Sequence, residues 1–81
     1  MNWCVYLVEC SDGTIYTGIT NNLKRRIDQH NTKPTGAKYT STRRPVVLKK
    51  WFVMDSRSEA QKEEYRIKQL SRAEKLKLIA S

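Results

Sequence analysis

Two tyrosines, an arginine, a histidine and a pair of glutamates are the residues whose types and spacing could do chemistry. Tyr6 lies in Cys4-Val5-Tyr6 and Tyr16 opens Tyr16-Thr17-Gly18, with the turn signal Ser11-Asp12-Gly13 between them. Arg26 and His30 are four apart, so a helix presents a guanidinium and an imidazole on one face. Arginine suits a phosphate that gains charge during reaction, because its planar fork donates two hydrogen bonds and stays protonated at any working pH. Glu63 and Glu64 fall beside the apolar stripe Ala60, Ile67 and Leu70. A carboxylate there is unusual unless paired or metal-bound. Magnesium is typically held by one or two carboxylates, waters and a substrate phosphate, so a single glutamate suffices. Periodicity does not choose between the two, and on an ideal wheel Glu63 is slightly closer to the stripe.

These side chains meet only if the segments carrying them fold in one register. Residues 3–10 and 14–19 are rich in β-branched and aromatic types and read as a β-hairpin. A two-residue Asp12-Gly13 turn would pair Cys10 with Ile15 and send the tyrosines to opposite faces. A three-residue loop, Ser11-Asp12-Gly13 with Gly13 left-handed, pairs Val8 with Tyr16 and sets Tyr6 diagonal to it on the same face. The three-residue loop is the expectation, and Gly13 and Gly18 are both expected to serve structural turns. Thr20-Asn21-Asn22 offers N-caps for a helix carrying Leu23 and Ile27 and ending near Asn31. Residues 31–45, with Pro34, Gly36 and Pro45, read as an irregular basic loop, and residues 46–54 as a third strand. Ser58 with Gln61 and Ser71 with Glu74 both fit the S-x-x-E/Q capping box, predicting helices over about residues 58–70 and 72–80. The expected fold is α/β of the α+β type: a small three-stranded antiparallel sheet flanked by three helices, in the order β-β-α-β-α-α.

The 81 residues, with 16 Lys plus Arg against 8 Asp plus Glu and a net charge of +8, predict one small domain over residues 1–81. Its core must be thin, which excludes a large substrate cavity. No run of ~18 apolar residues exists, and the apolar stretch of residues 3–8 stops at Glu9 with no basic region before it. Neither a membrane span nor a secretory signal is expected, and the location is expected to be cytoplasmic. Cys4 and Cys10 lie on one strand about 20 Å apart, so no disulfide is expected between them. With one histidine in the chain, no zinc spacing exists. The cations concentrate in residues 24–26, 33–50 and 66–77, which makes a polyanion such as DNA or RNA the first partner to consider.

Val5-Tyr6, Tyr16-Thr17-Gly18, Arg26 and His30 on the following helix, and a glutamate on the next, together resemble the GIY-YIG nuclease superfamily. The likeness is greatest to its short, single-domain bacterial group and covers nearly the whole chain. Gly36-Ala37-Lys38-Tyr39-Thr40, Arg43-Arg44-Pro45-Val46 and the run from Ile67 to Leu76 are also similar to that group. Each half-motif alone is weak; the elements in order at compatible spacing are specific. The resemblance implies metal-dependent hydrolysis of a phosphodiester, with one Mg²⁺ or Mn²⁺ ion. By similarity, Tyr16 matches the tyrosine that deprotonates or orients the attacking water, and Tyr6 the one that supports the scissile phosphate and its water. Arg26 matches the residue that stabilises phosphoryl charge, and His30 a position near the nucleophile or phosphate. For the metal ligand the resemblance favours Glu64, because the family glutamate is usually followed three positions later by an apolar residue, here Ile67. A free phenol ionises only near pH 10, so a tyrosine base needs cations beside it, such as Arg26, the metal ion, Lys24 or Lys38. Two departures stand out. Cys4 replaces the first glycine of the motif, where no positive φ is required, and no asparagine follows Asn31, whereas several larger relatives carry one after the glutamate helix.

Lys24 and the loop cations Lys38, Arg43 and Arg44, interleaved with Tyr39, are candidates for nucleic-acid binding, the cations tracking phosphates while Tyr39 stacks on a base. The functional expectation is a structure- or strand-selective DNA nuclease with little sequence specificity, in repair or recombination, with RNA as the other polymer. The alternatives are a nucleic-acid-binding module without catalysis and a small interaction protein with an acidic partner.

Overall fold

The computed structural model describes residues 2–32 and 43–81. Its elements are β1 (Trp3–Glu9), β2 (Ile15–Thr20), α1 (Leu23–Thr32), β3 (Val47–Met54), α2 (Arg57–Lys68) and α3 (Arg72–Ala80). The strands form one antiparallel sheet in the order β2-β1-β3, giving the expected β-β-α-β-α-α architecture.

The central strand explains the layering. Val5, Tyr6, Leu7 and Val8 are all buried, so both faces of β1 are covered. On one face Val5 and Leu7 pack with Ala60 and Ile67 of α2 and with Leu70, Leu78 and Ile79. On the other, Tyr6, Val8 and Cys10 pack with Tyr16, Val46 and Leu48 and with Leu23 and Ile27 of α1. A sheet this small needs helices on both sides to bury enough apolar surface.

Gly13 sets the register. Its φ is +85°, the left-handed region, and its N–H donates to the Cys10 carbonyl at 2.9 Å. The Cys10 N–H in turn donates to the Thr14 carbonyl at 2.8 Å, which closes a three-residue loop. Val8 therefore pairs with Tyr16 and Tyr6 with Gly18, the register that puts both tyrosines on the α1 face. Gly18 differs from expectation: it makes no turn but sits inside β2, for a reason given below.

β3 is an edge strand with a bulge. Its pairing to β1 jumps from Leu7–Lys50 to Val8–Leu48, so Lys49 is the extra residue, and its Nζ lies 3.5 Å from Glu9. Helix α2 begins earlier than predicted. Ser56, not Ser58, is the N-cap, its side chain accepting from the Glu59 N–H at 3.2 Å. Ser56-Arg57-Ser58-Glu59 offers the same S-x-x-E spacing and is the first such serine after the strand ends. At α3 the reciprocal capping box between Ser71 and Glu74 forms as predicted. Cys4 and Cys10 are both free, and among the described residues no helix is long and apolar enough to cross a membrane.

Candidate active site

The site is assembled on the α1 face of the sheet, where Tyr6 of β1 and Tyr16 of β2 pack with α1, while α2 lies against β1 and β2 from the other face. From β1 the Tyr6 side chain leans across β2 directly over Gly18, where a Cβ would lie 2.5 Å from its hydroxyl oxygen. Gly18 is thus glycine for lack of space rather than for backbone freedom. The Tyr6 hydroxyl reaches His30 Nε2 at 2.8 Å. His30 is fully buried in the last turn of α1, and the rings of Tyr6 and Tyr16 stand edge-on to it, with centroids 5.8 and 5.4 Å away.

Arg26, one turn before His30, also hydrogen-bonds the Tyr6 hydroxyl, and its Nη1 donates to Gln29 Oε1 at 3.2 Å. A guanidinium only donates, so Tyr6 accepts from Arg26, and its own O–H is left to donate wherever His30 Nε2 is the acceptor. Burial pushes the Tyr6 phenol up to about 12, against the opposing pull of Arg26. Burial, followed by the charges of Arg26 and Arg44, lowers His30 to about 4. Both rings are therefore neutral near pH 7. The two residues form an inner layer: Tyr6 is 1% exposed, so its hydroxyl faces His30 and Arg26 rather than a phosphate in solvent. Tyr16 and Arg26 are only half-buried and form the outer layer.

Helix α2 carries both candidate carboxylates, and their contacts differ where periodicity does not separate them. Glu63 is engaged by both nitrogens of the Arg66 fork, at 2.7 and 2.8 Å, which holds its carboxyl below the usual range. Glu64 acts electrostatically on Tyr6, and among the described residues its ion pair is with Lys68, one turn on, at 3.3 Å. Among the described residues no group of three or more His, Cys, Asp or Glu side chains could hold a metal ion. One half-buried carboxylate fits a hard ion that keeps most of its waters and takes further oxygens from a substrate.

The other candidates scatter. Lys24 is exposed on α1, lining a cavity of about 600 Å³ with Arg25 and Asp28, away from the tyrosines. Arg43 pairs with Asp12 at 3.0 Å and ties the chain after the loop to the hairpin, while Arg44 Nε donates to the His30 carbonyl at 2.7 Å. Lys38 and Tyr39 lie outside the described residues. Two side chains escaped the sequence reading. Gln29 steadies Arg26, a contact its i+3 spacing could have signalled. Asn31 clamps Val46 through both amide atoms, at 2.7 and 3.1 Å, and carried no signal in the sequence.

The family model described as the GIY-YIG catalytic domain matches residues 2–77. The chain belongs to the GIY-YIG family. Membership implies nuclease chemistry on a nucleic acid, and nucleases of this family generally use divalent metal ions. Within the family the chain is similar to UPF0213 proteins. It is 54% identical to UPF0213 protein DP2720 of Desulfotalea psychrophila, over 95% of this chain and 70% of that protein. It is 58% identical to UPF0213 protein VNG_2274C of Halobacterium salinarum, over 88% of this chain and 91% of that protein. The solution structure of UPF0213 protein BH0048 from Bacillus halodurans is 44% identical, with a TM-score of 0.62 over 99% of this chain and 84% of that one. That of protein EF2693 from E. faecalis is 36% identical, with a TM-score of 0.67 at the same coverage.

Proposed function

We propose that this GIY-YIG chain is a divalent-metal-dependent nuclease that hydrolyses DNA phosphodiester bonds with selectivity for strand or structure rather than sequence. The observation that carries the reading is that Tyr16 and Arg26 lie against the buried Tyr6–His30 pair, with the Glu64 charge felt at the Tyr6 phenol. Tyr16 orients the attacking water and takes its proton, being the half-buried phenol of the two. Tyr6 is unsuited to that role because it keeps its proton up to about 12. Arg26 donates to the phosphoryl oxygens as their negative charge grows, a contribution that is largest where donors are fixed beforehand. Gln29 and Tyr6 supply that fixing. Tyr6 and His30 are positioning residues, acting through Arg26 and Tyr16.

Glu64 would hold Mg²⁺ or Mn²⁺, which when bound polarises the phosphate and stabilises the leaving oxygen. The reading carries with it a cytoplasmic location, a DNA partner with RNA as the other polymer, and a place in repair or recombination. The test is a Mg²⁺ and Mn²⁺ titration with labelled single-stranded, duplex, flap and branched DNA. Metal-dependent cleavage that disappears in Tyr16→Phe and Glu64→Ala is expected. Salt-sensitive binding without cleavage in any metal would instead identify a binding module and overturn hydrolysis.

A further inference from the structure

The run from Ile67 to Leu76 is similar to the short GIY-YIG group, yet Glu64 and the tyrosines do not use it. Its basic residues reach the opposite end of β2 from Arg26. Arg72 donates through Nη1 to the Gly13 carbonyl, fixing its guanidinium against the hairpin loop. Arg72 and Lys75, one turn apart on α3, line a cavity of about 190 Å³ with Thr14 and Ile15, the two residues before Tyr16. Neither cation has a carboxylate partner among the described residues. The nearby acids are engaged elsewhere, Asp12 by Arg43 at 3.0 Å and Glu74 by the Ser71 N–H at 3.0 Å. At the other end of the strand, Arg25 and Arg26 line a cavity of about 240 Å³ with Thr20 and Asn21.

We propose that Arg72 and Lys75 form a second phosphate subsite, which binds the DNA backbone one or two nucleotides from the cleaved bond. The cavity and Tyr16 lie on opposite faces of the sheet, but β2 is its edge strand; residues 14 and 16 are ~7 Å apart along the chain and a duplex strand offers a phosphate every ~3.4 Å of axis, so a backbone that passes over this edge at Tyr16 brings a neighbouring phosphate to the cavity. The DNA then runs along the β2 edge, with Arg25 at one end, the reacting phosphate between Arg26 and Tyr16, and Arg72 and Lys75 at the other end. Two cations on one short helix, one of them held to the hairpin, select a charged backbone, not a base, in keeping with low sequence specificity. The inference rests on the proposed DNA substrate.

The test is fluorescence anisotropy of labelled duplex and flap DNA in EDTA, where nothing is cut, across a salt series. Each phosphate contact contributes ~0.9 to the slope of log affinity against log salt. Lys75→Gln and Arg72→Gln are each expected to lower the slope by about that amount. Lys75→Gln leaves the Arg72–Gly13 contact in place, so it keeps the test valid if Arg72→Gln loosens the hairpin. Uncharged methylphosphonate linkages placed singly along the strand should weaken wild type at one or two positions and leave Lys75→Gln indifferent at one of them. An unchanged slope in Lys75→Gln, beside wild-type cleavage, overturns the subsite and leaves the nuclease reading standing. A reduced slope in a protein that never cuts upholds the subsite and removes hydrolysis, while no DNA binding by wild type overturns both.

Discussion

A methyl group at Gly18 would meet the Tyr6 hydroxyl oxygen at 2.5 Å and ring carbon Cζ at 2.6 Å, and neither can retreat while the hydroxyl is held by His30. Gly18→Ala is therefore an overpacking mutation in the inner layer, expected to cost ~1–3 kcal/mol and to lower the urea midpoint accordingly. An unchanged midpoint would mean that Tyr6 does not lie over this residue. His30 gives a second residue-scale expectation. It is the only histidine, so its ring protons can be followed alone by NMR, and their titration should centre near 4 rather than 6.5. Because the folded pKa lies below the unfolded one, the unfolded chain binds the proton first as pH falls. The contribution to stability is complete above about pH 6.5 and is lost on descending toward 4, by up to about 3 kcal/mol. A ring that titrates near 6.5 in the folded protein would sink this account, and with it the neutral Tyr6–His30 pair.

At the scale of elements, the hairpin loop decides whether the tyrosines cooperate. Gly13→Ala places a Cβ at φ +85° and should cost ~1–2 kcal/mol while keeping the register. Deleting Asp12 is expected to be worse, because a one-residue change in loop length turns every β2 side chain to the other face. Tyr16 would then leave the α1 face, so cleavage should vanish even where circular dichroism still reports a folded sheet. Retained cleavage in that deletion would show that the loop does not set the pairing. The register was legible in the sequence because Gly13 occupies the one loop position that demands a left-handed residue. The order of elements was legible because hydrophobic period and turn residues agree along the chain. The start of α2 was less so: Ser56 and Ser58 each precede an acceptor by three residues, and the burial of Ala60 and Ile67 against the sheet, a tertiary contact, fixes where the helix runs. For the same reason the site's outline could be read but not its layering. Spacing puts Tyr6 and Tyr16 on one face, yet only the packing of Tyr6 over Gly18 and under His30 makes one phenol inner and the other outer. The choice of Glu64 over Glu63 likewise depends on the Arg66 fork that occupies Glu63.

For the molecule as a whole, the question is whether an ion that serves the chemistry also holds the fold. Both faces of the central strand are closed by apolar packing, and no cluster of three metal-ligating side chains exists among the described residues. Glu64, the proposed ligand, is tied to the fold by an i,i+4 pair with half-exposed Lys68, an interaction worth ~0.3–0.5 kcal/mol. The proposed ion would therefore be separable from stability, unlike a structural zinc whose binding free energy is folding free energy. EDTA should abolish cleavage and leave the thermal midpoint where it was. Glu64→Ala should do the same, shifting stability by no more than ~0.5 kcal/mol as expected of a surface position. Stability and activity must then respond independently to the same two perturbations. A midpoint that falls with EDTA in wild type but not in Glu64→Ala would show that the carboxylate anchors an ion which the folded chain needs, and the division between scaffold and chemistry would have to be redrawn.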